Sequence, residues 1–89
     1  MLPFTAEEAL KGKLCKLRNG KFAQIYMDVR TCPYIDIKNS EYVLVGIIFP
    51  NGSIPDKNTW KVDGLTYFSP GPYDIMGILE PHELPVLQD

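Results

Sequence analysis

Turn signals divide this chain more sharply than any other feature. Asn19-Gly20, Asn51-Gly52 and Asp63-Gly64 each join two residues that tolerate positive φ, and Ser69-Pro70-Gly71-Pro72 breaks the backbone again. Fifteen of the 89 residues are proline or glycine. Regular elements must therefore be short, which excludes a helical bundle. At this length there is one domain at most, since typical domains hold roughly 100–150 residues. Small domains also leave little interior for an enclosed catalytic cleft.

Between the turns, local patterns predict the elements. Thr5-Ala6-Glu7-Glu8 has the capping-box form, in which Thr5 accepts from the Glu8 backbone and the Glu8 side chain accepts in return from Thr5. A helix from Ala6 to about Lys11 follows, closed by Gly12. Lys13–Leu17 and Phe22–Val29 flank Asn19-Gly20 as a hairpin. In the second strand, alternation assigns Ala23, Ile25, Met27 and Val29 to the core and Phe22, Gln24, Tyr26 and Asp28 to the other face.

A loop of about a dozen residues runs from Arg30 to Glu41, with Ile35-Asp36-Ile37 as a short strand fragment inside it. Tyr42–Phe49 is β-branched and continuously apolar, the mark of a central strand, and Gly46 within it marks a bend, a bulge or a close backbone approach. Thr59–Val62 and Leu65–Phe68 flank Asp63-Gly64 as a second hairpin, with Trp60 at least half buried. Tyr73–Leu79 supplies a closing strand or a helical turn leading into one.

The fold expected is mainly β, or α+β by strict count. It is a small antiparallel SH3-like barrel or strongly curled sheet of five to six strands with one short N-terminal helix. An open sheet with the helix on one face is the alternative. Residues 1–80 form the β domain, and 81–89 a proline-broken acidic tail.

Charge is distributed unevenly. Residues 1–30 carry six basic and three acidic side chains, and residues 31–89 three basic and eight acidic. A chain of net charge −2 is a poor match to a DNA-binding domain, which is usually basic overall. The segment Lys11–Lys21 nevertheless holds five positive charges and no negative one. Its Lys13, Lys16, Arg18 and Lys21 form a candidate phosphate-binding set, with Tyr26 placed to stack a base.

No apolar run approaches the roughly 20 residues of a membrane span. With no secretory signal before Cys15 and Cys32, the expectation is a cytoplasmic protein with reduced thiols. The two cysteines and the single histidine, His82, lack the spacing of a zinc site. Neither a glycine-rich phosphate loop nor a catalytic triad pattern occurs, so no catalytic residue, metal or cofactor is assigned.

Aromatic residues carry more information. Tyr26, Tyr34, Tyr42, Trp60, Tyr67 and Tyr73 are six amphipathic rings in a small domain, of a kind that concentrates at binding hot spots. Strand alternation and loop position single out Tyr26, Tyr34 and Tyr73, with the acidic neighbours Asp36 and Asp74, as a partner-binding set.

The order of Ala9-Leu10-Lys11-Gly12-Lys13, Leu17-Arg18-Asn19-Gly20-Lys21, Ile25-x-x-Asp28, Tyr42-Val43-Leu44-Val45-Gly46, Thr59-Trp60, Asp63-Gly64, Tyr67 and Asp74-Ile75 resembles small phage and prophage proteins. The resemblance covers about residues 9–78 and rests on turn and core positions. It implies a virus-encoded accessory protein in the bacterial cytoplasm, of the kind that binds and blocks a host protein, defence components included. The expected function is therefore non-catalytic binding and modulation of a host bacterial protein, by a monomer or homodimer. Binding of nucleic acid or a nucleotide through the basic first hairpin is the alternative.

Overall fold

The structure is a computed structural model and describes residues 1–34, 41–49 and 55–84. Its elements are helix α1 (Ala6–Ala9) and strands β1 (Leu14–Leu17), β2 (Phe22–Asp28), β3 (Leu44–Phe49), β4 (Asp56–Trp60) and β5 (Ile75–Ile78), with single 3-10 turns at Val29–Thr31 and Pro81–Glu83. Residues 50–54, with the turn expected at Asn51-Gly52, lie outside the described set, as do the Ile35-Asp36-Ile37 fragment and residues 85–89.

All five strands are antiparallel neighbours in one sheet of order β4-β3-β2-β1-β5. The first hairpin forms as its sequence indicates. Gly20 takes φ +88 at the turn, and Lys16 pairs with Phe22. β4 and β5 are opposite edges, so the sheet is open and the barrel expected from the sequence does not close. The open alternative holds. Ala9 of α1 is fully buried in the main core, and Phe4 and Ala6 pack against that core.

Barrel closure fails where the second hairpin stops. Gly64 makes the expected turn with φ +86, and Lys61 N–H donates to the Leu65 carbonyl. Residues 65–68 do not continue as a strand along β4. They leave the sheet and wrap around Asp74. Gly64 is held instead through its carbonyl, which accepts from Ile75 N–H at 2.9 Å.

The core side of the sheet carries Cys15, Leu17, Ala23, Ile25, Leu44, Ile48, Ile75 and Ile78, with Trp60 fully buried among them. Apolar burial of this kind is the main favourable term in folding. In β3 the burial alternates, with Leu44, Gly46 and Ile48 buried and Val45, Ile47 and Phe49 half-buried. Gly46 confirms a close backbone approach. A Cβ on it would lie 2.2 Å from the Gln24 carbonyl oxygen of β2.

Strand β2 corrects the simple alternation. Ile25 pairs with Gly46 and Met27 with the adjacent Val45, leaving Tyr26 as the extra residue of a bulge. Beyond it Met27 and Asp28 exchange faces, while Val29, past the end of the strand, is buried in the core as expected. Met27 is exposed, not in the core, and Asp28 is buried opposite Leu44. The Asp28 carboxylate is satisfied there by Arg30, with Nε to Oδ1 at 3.0 Å and Nη2 to Oδ2 at 2.6 Å. That guanidinium holds the Asp28 carboxyl below its usual range.

At α1 the cap is half of what the sequence suggests. Glu8 N–H donates to Thr5 Oγ1 at 3.3 Å. The Glu8 carboxylate takes the Lys11 and Lys13 ammonium groups at 2.9 and 2.5 Å. Side-chain bonds from Lys13 and then Lys11 lower the Glu8 carboxyl to about 2.

Candidate functional site

Four aromatic side chains, Tyr42, Tyr67, Phe68 and Tyr73, surround a cleft of about 520 Å³ beside β4. Asn58 and Thr59 of β4 form one wall, and Thr66 and Pro72 of the following loop complete it. Tyr67 and Phe68 meet edge to face with centroids 5.0 Å apart, and Tyr42 lies 6.2 Å from Tyr67. Both geometries fall within the favourable range for ring pairs. Tyr67 is 74% exposed and Phe68 78%. No charged residue is among the described residues lining the cleft.

Asp74 shapes this loop. It is 0% exposed, and its carboxylate accepts four hydrogen bonds. Thr66 N–H and Oγ1–H donate to Oδ1, each at 2.8 Å, while Ser69 Oγ–H and Gly71 N–H donate to Oδ2 at 2.8 and 2.9 Å. Burial alone raises such a carboxyl, but these donors outweigh it and hold Asp74 at about 2. Further contacts tie the loop to the sheet. Trp60 Nε1–H donates to the Tyr73 carbonyl at 2.8 Å, Arg18 N–H to the Asp74 carbonyl at 2.9 Å, and Asn19 N–H to the Pro72 carbonyl at 3.0 Å. The exposed rings thus stand on a fixed base.

This arrangement divides the partner-binding set read from the sequence. Tyr73 lines the cleft. Tyr26 on the β2 bulge and Tyr34 after the 3-10 turn are exposed, but neither lines it. Asp36 lies outside the described residues. Asp74 is a correction: its carboxylate is buried and committed to the loop, so it offers no charge to a partner. Tyr67 and Phe68 are the most exposed rings of the cleft; the Asp63-Gly64 hairpin pattern predicts a strand there, which hides their role from the sequence.

The basic set is mostly occupied by local contacts. Lys13 shares Glu8 with Lys11, and Lys16 sits over the Phe22 ring at 4.7 Å from its centroid. Arg18 Nη2 stands 3.9 Å from the buried Asp74 carboxylate. Lys21 forms no ion pair among the described residues.

Among the described residues, Glu80, His82 and Glu83 are close enough to share a cation. Two of them already face the Met1 amino group, at 3.7 Å from Glu80 and 2.6 Å from Glu83. Both cysteines are free. Burial pushes the Cys15 thiol up to about 11, whereas Cys32 is half-buried at the end of the Val29–Thr31 3-10 turn. Since the thiolate is the reactive form, iodoacetamide at neutral pH should label Cys32 in the native protein well before Cys15. Peptide mapping of the modified sites checks this, and equal labelling of both would contradict the buried position of Cys15.

No protein-family model, curated protein or solved structure matches this chain.

Proposed function

We propose that this is a non-catalytic binding protein that engages and modulates another protein through the cleft at Tyr42, Tyr67, Phe68 and Tyr73. The observation carrying this reading is the exposed Tyr67–Phe68 pair, held on a loop organised by a fully buried carboxylate. Contiguous exposed aromatic surface is an interaction feature in soluble proteins, and rigid aromatic rings supply contact area at low entropic cost. The resemblance of residues 9–78 to small phage proteins extends the proposal to its setting. There the partner is a bacterial host protein, defence components included, and binding inhibits or modulates it in the cytoplasm.

Affinity capture from bacterial lysate tests this reading when wild type is compared with the Tyr67→Ser, Phe68→Ser double variant. Wild type should retain a stoichiometric protein across a range of salt concentrations, and the variant should lose at least about tenfold of it, as expected for hot-spot residues. Undiminished retention by a folded variant, or retention abolished by nuclease, would overturn the reading.

A further inference from the structure

The two sheet edges differ. On the outer side of β5, Leu2 and Ile78 exchange two backbone hydrogen bonds of 2.8 Å each. The same strand is bulged at Met76, which is skipped between the Lys16–Gly77 and Leu17–Ile75 pairs. Covering and bulging are two ways a protein closes an edge to further pairing. β4 has neither. It pairs with β3 through five consecutive residues without a bulge, and no described residue pairs with its outer side. It contains no proline.

The cleft adjoins this open edge at Asn58 and Thr59. Asn58 shares a face of β4 with Trp60, whose indole donates to the carbonyl of the cleft residue Tyr73. A side chain opposite Asn58 on an added strand would therefore project on the cleft side. Asp56 lies on the same face two residues away, exposed and without an ion pair among the described residues. Its free charge and the uncharged cleft specify what should stand opposite each.

We infer that the partner binds by strand addition: an extended segment pairs with β4, placing a large apolar or aromatic side chain in the cleft and a lysine or arginine, two residues away, opposite Asp56. This rests on the cleft reading above and adds the partner's backbone conformation and side-chain spacing. Main-chain hydrogen bonds would supply affinity, and the alternating side chains selectivity.

A displayed library of random peptides of about ten residues, enough for one strand, tests it against wild type, Asp56→Lys and Phe68→Ser. Wild type should enrich peptides with a basic residue two positions from a large apolar one. Asp56→Lys should exchange the basic residue for an acidic one at the same spacing, and Phe68→Ser should lose the enrichment. A synthetic peptide of the enriched sequence should slow hydrogen exchange at β4 amides by about tenfold or more. No enrichment, or enrichment indifferent to Asp56→Lys, would overturn strand addition. Peptides that require Phe68 but leave β4 exchange unchanged would also overturn it while preserving the cleft reading. Protection of β4 by concentration-dependent dimerisation alone, followed by sedimentation, would give the edge to a second copy and likewise overturn the proposal.

Discussion

Replacing Asp74 with alanine should unfold the cleft loop and cost about 3–5 kcal/mol, the range for removing a buried charged partner from its donors. The size follows from what remains behind. Backbone N–H groups of Thr66 and Gly71, with the hydroxyls of Thr66 and Ser69, would lose their acceptor together. The hydroxyls can rotate toward other partners, but the Gly71 N–H, directed at Oδ2 in a buried position, cannot. Asp74→Asn should fall between wild type and alanine, because one oxygen is retained while the new amide group faces donors. Urea unfolding of the three proteins checks the order.

The same carboxylate sets an acid limit. Its pKa is about 2 in the fold against an ordinary 3.8, so protons bind more readily to the unfolded chain between those values. Its stabilising contribution is complete above about pH 4 and declines as pH falls toward 2. Asp74→Asn should flatten that part of the stability–pH curve. An unchanged acid limb in the variant would show that Asp74 is not the group responsible.

Gly46→Ala should be the other severe change. The added Cβ would meet the Gln24 carbonyl oxygen at 2.2 Å and the Ile25 Cα at 2.9 Å, both backbone atoms. No side-chain rotation relieves those contacts, so β2 and β3 must separate beside the Tyr26 bulge. Overpacking a core typically costs 1–3 kcal/mol and occasionally more. Here backbone has to move, so the expected loss is about 3 kcal/mol, a fall in melting temperature on the order of 12–24 °C for a domain of this size. Thermal unfolding followed by circular dichroism measures it. A shift of only a degree or two would mean that the strands separate at little cost at Gly46.

The sequence and the structure agree most closely where local chemistry acts alone. Asn19-Gly20 specifies its turn, the β-branched run through β3 specifies an inner strand, and Gly46 signals the close approach. Departures occur where a distant contact decides. The Tyr26 bulge changes the facing of Met27 and Asp28, because two residues of β2 span one step of β3. Asp63-Gly64 forms its turn, yet Leu65–Phe68 follows the Asp74 donor network rather than pairing with β4. Reading that network from sequence would require recognising Thr66, Ser69 and Gly71 as donors converging on one carboxylate. The cleft follows from the same departure: had the second hairpin continued, Tyr67 and Phe68 would have been strand residues and the β4 edge would have been covered.

Site-specific photo-cross-linking inside bacterial cells tests the central claim most directly. A benzophenone amino acid placed at Phe68 and, in separate proteins, at Tyr26 and Tyr34 compares the cleft with exposed tyrosines outside it. The expected result is a discrete protein adduct from position 68 and none from positions 26 and 34. An adduct from position 26 or 34 with none from position 68 would place the contact surface elsewhere on the molecule and contradict the account.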